Sequence, residues 1–402
     1  MLPTLLLTMP RLPGCRGTAA YGQHVTEPAP GGVVVTDLAA APKAALRRAS
    51  VDRNPELDMA RGAAIVAAAL VLFAPDPTVL PTWLGASSWH GASIADLLPA
   101  SFACLAGVAI AHQARARSDR SWAWWLGRMA RRLLVLVGLG VLLVWLTSAP
   151  SLPVDPGTLR WTDDLVRIGV ATVIAIPLVR LPRWGAVAIA TLLLVGHSAL
   201  TLSAGPELMP ASNGLIGLDQ RLLGLGHALV PVDPNGVTAL APTLVALLIG
   251  FWIGEWIDDR PRGAATGSVL LLLGAWAGVV AWSWNQVMPA NATLWTGPII
   301  AGGVAMTLLL LSLGHLGTRW SWTDRAVATL ASLGRGALPS WIALVLLGAV
   351  VAPTTPLRWF VADGLGSLIT PFGASLVVSL VVVYGLLRLS DLLQSRNLNL
   401  RA

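Results

Sequence analysis

Charge is scarce in this chain of 402 residues. Only 12% of them are Asp, Glu, Lys or Arg, about half the quarter usual in soluble domains. So thin a charged surface excludes a protein solvated mainly by water. Lysine is almost missing: Lys43 stands alone beside 26 arginines. The net charge of +7 is spread through short loops and forms no patch, so no nucleic-acid partner is expected. Cysteine is limited to Cys15 and Cys104, far apart in sequence. That excludes a disulfide framework and the spacing of a thiolate metal site, and no metal is expected. The start Met1–Pro10 lacks a basic stretch and is broken by proline, so it does not read as a signal peptide.

What the chain has instead is apolar length. Hydrophobic residues make up 55% of it and mean hydropathy is +0.70. The apolar residues form runs of roughly 18–20, enough to cross a hydrocarbon core about 30 Å thick. Ten such segments are read, at 59–75, 95–113, 133–149, 164–180, 185–203, 238–257, 264–283, 294–314, 337–353 and 374–392, with a short helix at 326–336 leading into the ninth. Glycines inside them, as at Gly138, Gly140, Gly302 and Gly303, suit close helix packing in lipid. The expected fold is all-α and polytopic, with about ten transmembrane helices over 56–393. Residues 1–55, mixed in Pro, Gly, Ala and Arg without periodicity, read as a disordered tail, and 394–402 as a second tail.

Basic residues set the orientation. If successive connections alternate between the two sides, 23 of the 27 basic residues fall on the side of the two tails. Only Arg160, Arg167, Arg221 and Arg358 fall on the other. Both termini are therefore expected to be cytoplasmic, in a cell-membrane protein whose main partner is the lipid bilayer.

The polar motifs gather on the far side. In Trp89-His90-Gly91-Ala92-Ser93-Ile94-Ala95-Asp96, His90, Ser93 and Asp96 are spaced three apart and would share a helical face. A carboxylate beside an imidazole makes it more basic, as a general base requires; alternatively, both residues only cap and anchor the helix. Asp163 and Asp164 can pair with Arg167 at helical spacing, and an arginine within a span faces a cavity or a partner. Asp233-Pro234-Asn235-Gly236 is a turn signal. Asn291 and Trp295 are four apart at a helix start, where Trp295 can also be an interfacial anchor. His227 is a lone loop histidine, and His197 is the best intramembrane candidate. On the cytoplasmic side Asp58 and Arg61 sit at i,i+3, either as an ion pair or in contact with a negatively charged cosubstrate.

Together these segments resemble a known family. Leu57-Asp58-Met59-Ala60-Arg61-Gly62 is similar to an L-D-x-x-R-G motif of membrane acyltransferases. Trp89–Leu97 resembles the W-[NH]-G-x-[TS]-x-x-D-L loop of the heparan-α-glucosaminide N-acetyltransferase family. Arg160 with Arg167, Leu218–Gly224, Asp233–Gly236, and Asn291 with Leu294-Trp295-Thr296 follow in order, over about 56–345. A neighbouring membrane family shares Gly334-Arg335-Gly336-Ala337-Leu338. The resemblance implies transfer of an acetyl group from cytoplasmic acetyl-CoA, as cosubstrate, to a sugar or glycan acceptor across the membrane, and it implies a homodimer. For such a transfer His90, with Asp96, is the base read from the residues themselves, Ser93, Arg160, Arg167, Asp233, Asn291 and Trp295 would lie around the substrate, and Asp58 and Arg61 would meet the donor. The chain departs from the pattern at three places: Ala86 stands where the family keeps its catalytic histidine, apolar residues around Leu72 replace an asparagine, and Ala292 replaces a lysine. These losses keep a second reading open, a non-catalytic relative acting as a transporter or envelope-assembly component.

Overall fold

The computed structural model describes residues 54–74, 77–117, 121–147, 160–203, 205, 207–209, 213–224, 233–317 and 323–396. Residues 1–53 of the expected tail 1–55, His227 and the last six residues lie outside them, while Asn54 and Pro55 already open the first helix. Among the described residues twelve helices carry the fold: α1 (Pro55–Leu72), α2 (Ile94–Ala116), α3 (Trp122–Thr147), α4 (Asp164–Leu178), α5 (Arg183–Leu202), α6 (Gly214–Leu223), α7 (Leu240–Asp258), α8 (Ala264–Asn285), α9 (Gly297–Gly317), α10 (Asp324–Arg335), α11 (Ala337–Val351) and α12 (Pro371–Ser395). Between α11 and α12 lie two short helices, Thr355–Trp359 and Leu365–Leu368, joined by a π-helical turn. No strand occurs among the described residues.

Every one of the ten apolar segments is a helix. Seven helices are long and apolar enough to cross a membrane: α2, α3, α5, α7, α8, α9 and α12. An eighth crossing exists if α10 and α11, bent by 80° at Gly336, are one broken span. Of the ten apolar segments, the remaining two fall short for visible reasons. α1 carries Glu56, Asp58 and Arg61 in its first two turns, and α4 has only 15 residues, about 22 Å at 1.5 Å per residue.

Helix starts follow from local chemistry. The Asn54 side chain accepts from the Glu56 and Leu57 backbone N–H groups at 3.1 Å, and Pro55 follows at the first helical position. Asp163 caps α4 through Leu165 N at 2.8 Å, and Asn213 caps α6 through Leu215 N at 3.0 Å.

The core is a set of close crossings built on small residues. α2 packs on α7, where a Cβ at Gly250 would lie 1.9 Å from the Cys104 carbonyl oxygen and one at Gly107 would lie 2.0 Å from that of Leu247. Only glycine lets these backbones meet, as expected where van der Waals packing drives helix association in lipid. Cys104 is a free, fully buried residue of that crossing. α1 meets α10 in the same way: a Cβ at Gly334 would lie 1.7 Å from the Asp58 carbonyl oxygen. Buried hydroxyls add interhelical bonds, Ser101 to Thr307 at 3.0 Å between α2 and α9, and Ser379 to the Ala69 carbonyl at 3.2 Å between α12 and α1. The outward faces carry Leu272, Trp276, Val279 and Trp282 on α8, and Trp184, Leu192 and Val195 on α5, all exposed. Apolar patches of this extent do not face water in a soluble monomer. The chain is a multi-pass membrane protein.

Candidate active site

Four loops converge at one end of the bundle. The segment before α2 is tied to the one before α9 by the bond from Gly91 N to the Ala290 carbonyl at 2.9 Å. The residues opening α4 are tied to the turn before α7. Arg160 Nη2 lies 2.7 Å from Asp233 Oδ1, and Arg160 Nε donates to Thr162 Oγ1 at 2.7 Å and approaches Asp233 Oδ2 at 3.3 Å. The Asp233 side chain is almost wholly buried and that of Arg160 is one-quarter exposed. Asp233 Oδ1 also accepts Asn235 N at 2.9 Å, which fixes the Asp233–Gly236 turn. Gly236 is required there: a Cβ would lie 2.1 Å from Asp219 Oδ2.

Arg167, one turn into α4, reaches that turn from below. Its Nη1 donates to the Pro234 carbonyl at 2.9 Å and to the Asn235 side-chain oxygen, and its Nη2 to Asp164 Oδ1 at 2.7 Å. Its guanidinium carbon lies 4.2 Å from the centre of the Trp295 ring, a cation–π contact. Trp295 Nε1 donates to the same Pro234 carbonyl at 3.0 Å. Trp295 has φ +53°, a left-handed conformation that costs a bulky residue about 1 kcal/mol or more. The stacking on Arg167 and the bond to Pro234 hold it there. The turn around it is set by Asn291, whose Oδ1 accepts Leu294 N at 2.8 Å, and by Thr296, whose hydroxyl accepts Asn291 N at 2.9 Å. Leu294 in turn receives the buried His197 of α5, Nε2 to carbonyl at 2.9 Å. Two donors in this cluster have no hydrogen-bond partner although they are buried: Arg167 Nε and Asn291 Nδ2. A third, Trp89 Nε1, is equally unpartnered, and Trp89 packs beside Leu294.

Two carboxylates outside the membrane-spanning helices, Asp163 at the start of α4 and Asp219 within the short α6, are shifted by this setting. Burial, aided by the charge of Asp164, pushes Asp163 up to about 6. Burial also raises Asp219, against the bonds it accepts from the Thr238 hydroxyl at 2.6 Å and the Thr238 N–H at 2.8 Å.

The structure separates His90 from Asp96. The shared helical face expected for 90, 93 and 96 does not form, because α2 starts only at Ile94 and Gly91 has φ +138°. Ser93 and Asp96 instead form a reciprocal cap. Asp96 accepts from Ser93 N at 3.0 Å, Ser93 Oγ at 2.9 Å and Ser87 Oγ at 2.6 Å. His90 is exposed, edge-on to Trp89, with Nε2 3.2 Å from the Glu207 carbonyl oxygen. Asn291 and Trp295 also precede their helix, which starts at Gly297 and not at 294. Of the expected site residues, Arg160, Arg167, Asp233, Asn291 and Trp295 form one connected network. Ser93, Asp96 and His90 belong to the adjoining loop, and Ala86 is exposed on it. Thr162 and Thr238 were not singled out from sequence, since a hydroxyl carries no pattern of its own, and Asp219 and Pro234 entered only as members of the Leu218–Gly224 and Asp233–Gly236 motifs.

Asp58 and Arg61 lie at the opposite, arginine-rich end, with the charge of Asp58 acting on Arg61. Here His112 pairs with Asp258 and lies 2.7 Å from the Asn54 side chain. A cleft of about 360 Å³ opens beside them, lined by Trp125, Arg115, Arg180, Arg183, Asp258 and Asp259 among others. Two of its arginines are matched by carboxylates, Arg115 by Asp259 at 2.5 Å and Arg183 by Glu255 at 3.9 Å.

Comparison with known proteins adds one finding. The family model described as heparan-alpha-glucosaminide N-acetyltransferase, catalytic, matches residues 53–276, more than half of the chain. That stretch runs from the start of α1 into α8 and includes His90, Asp96, Arg160, Arg167 and Asp233, while Asn291 and Trp295 lie beyond it. No curated protein matches the chain.

Proposed function

Because this chain belongs to the heparan-alpha-glucosaminide N-acetyltransferase catalytic family, a family of membrane acetyltransferase-like proteins, we propose that it transfers an acyl group, acetyl in the first instance, from cytoplasmic acyl-CoA to a sugar or other envelope acceptor on the far side of the cell membrane. The acceptor's hydroxyl or amine forms the new bond to the acyl carbon, the thioester C–S bond breaks, and the coenzyme A thiol leaves with the proton the acceptor gives up.

The observation that carries this reading is the pair of buried, unpartnered donors, Arg167 Nε and Asn291 Nδ2, flanking Trp295. A buried N–H without a partner is costly. On this reading a substrate oxygen supplies the missing bond, and fixed donors facing a developing oxyanion are a large catalytic term. His90, exposed on the adjoining loop, is the imidazole placed to accept the acceptor's proton. Asp96 holds that loop and does not contact the imidazole. Arg160 and Asp233 keep the turn that Arg167 grips. Both tails and the arginine-rich end are assigned to the cytoplasm by the distribution of basic residues.

The test is transfer of radiolabelled acetyl from acetyl-CoA to an amino sugar by the purified protein, compared with His90→Ala and Asn291→Asp. Asn291→Asp keeps an oxygen for Leu294 N and removes the donor. Removing one such donor is expected to lower kcat by about a hundredfold. Full activity of both variants would sink the residue assignments, and an inactive wild type that binds no acetyl-CoA would sink the enzyme reading in favour of a non-catalytic relative.

A further inference from the structure

The inward stripe of α5 is Ala186, Ala190, His197 and Thr201, all buried, while Trp184, Leu192 and Val195 face outward and are exposed. Leu193 and Leu194, beside the stripe, pack against Val245, Ala246 and Ile300 of α7 and α9. An imidazole on the apolar face of a span is costly and calls for a partner. His197 finds one in the turn before α9, where its Nε2 lies 2.9 Å from the Leu294 carbonyl oxygen. A carbonyl only accepts, so Nε2 carries the proton and the bond fixes the tautomer. Thr201, one turn on, bonds within its own helix, hydroxyl to the His197 carbonyl at 2.7 Å.

The Leu294 carbonyl and the Trp295 N–H belong to one rigid peptide plane. Rotation of that plane sets φ of Trp295, which stands at +53°. A tryptophan keeps such a conformation only where its surroundings over-determine it. The contacts with Arg167 and the Pro234 carbonyl act on the indole ring. The bond from His197 acts on the peptide plane itself, across 97 residues of sequence. The other tie on that plane is longer, Trp295 N to the Ala292 carbonyl at 3.3 Å. Without His197 the buried Leu294 carbonyl loses its bond, the plane is free to turn, and Trp295 swings off Arg167. We propose that His197 is a positioning residue for the transfer: through the 294–295 peptide plane it holds Trp295, and with it the donors of Arg167 and Asn291, in the arrangement the reaction uses. Its part in catalysis rests on the transferase reading above; its hold on the turn does not.

Three variants of the full chain are compared with the wild type. His197→Phe keeps a ring and loses the donor. His197→Gln carries an N–H able to reach the place of Nε2. Thr201→Val removes a buried hydroxyl bond within α5 and leaves the turn alone. Initial rates with acetyl-CoA and an amino-sugar acceptor give kcat and KM, and deuterium exchange of the peptide spanning 290–296 reads the turn directly. His197→Phe is expected to lower kcat about ten- to a hundredfold, with KM for acetyl-CoA unchanged and exchange at 290–296 faster. His197→Gln should regain most of both, and Thr201→Val should match the wild type. If His197→Phe does not fold, His197→Asn, an amide too short to reach Leu294, takes its place beside His197→Gln. Wild-type kcat in His197→Phe, an equal loss in Thr201→Val, or a glutamine variant no better than the phenylalanine one overturns the proposal. A wild type that transfers nothing overturns the transferase reading instead. Faster exchange at 290–296 in His197→Phe alone then still shows that His197 places the turn, and unchanged exchange overturns that as well.

Discussion

Arg167→Lys puts a number on the claim that one guanidinium organises the Trp295 end. Arg167 makes three side-chain bonds, to the Pro234 carbonyl, the Asn235 side chain and Asp164. It is 3% exposed, and Trp295 stacks on its face. A lysine keeps the charge but has a single compact ammonium, which cannot span acceptors on two sides and offers no plane for stacking. Two charge-assisted bonds are lost, each about 1.5–3 kcal/mol, and the cation–π contact weakens by about 1 kcal/mol. A loss of about 4 kcal/mol is expected, within the range for breaking buried ionic networks. The assay is reversible unfolding in mixed detergent micelles, read by tryptophan fluorescence, with Arg160→Lys as control. The Arg160 side chain is one-quarter exposed and, among the described residues, its hydrogen bonds go to Thr162 and Asp233, so its substitution should cost about 1–2 kcal/mol. If Arg167→Lys stays within about 1 kcal/mol of the wild type, or if Arg160→Lys costs more, the hierarchy argued from burial is wrong.

Three further outcomes are expected. Asp163, pushed up to about 6 by burial and Asp164, makes a contribution that is fully favourable below its unfolded value and is lost as pH rises through about 6. Asp163→Asn, which can still cap α4, should therefore raise stability at pH 7 by on the order of 2 kcal/mol and flatten the unfolding profile between roughly pH 4 and 6; an unchanged profile would show that Asp163 titrates normally. Gly250→Val should cost about 3 kcal/mol or more, because its Cβ would sit 1.9 Å from the Cys104 backbone oxygen, and helix-association assays of the variant should fail where Gly138→Val, with open space around it, succeeds. Asp96→Ala should cost about 2 kcal/mol and speed amide exchange at Ser87 and Ser93, since Asp96 bonds both backbone N–H groups; slow exchange in the variant would mean the loop is held by other contacts.

The helices were legible in the sequence because a long apolar run has few alternatives in lipid, and all ten runs became helices. Which of them cross was less legible. The bend at Gly336 and the short helices after Ala352 depend on packing that no run length records. Within the site, Arg160, Arg167, Asp233, Asn291 and Trp295 could be named, because charge and tryptophan beside an apolar run demand a reason. Their partnership could not be read, since Arg160 meets Asp233 across 73 residues. Of the two readings open for His90 and Asp96, the cap holds for Asp96 and the pairing fails, for a definite cause. Helical spacing was extended through Gly91 and Ser93, where the chain has not yet begun its helix.

The most direct measurement uses sealed proteoliposomes with the protein inserted in one orientation. Acetyl-CoA is supplied only on the side of the arginine-rich end, and an amino-sugar acceptor only on the side of Trp295. Appearance of acetylated sugar on the Trp295 side, abolished when acetyl-CoA is moved across, is the expected result. Acetylation that requires donor and acceptor on the same side, or none with donor bound and acceptor present, would contradict transmembrane transfer by this chain.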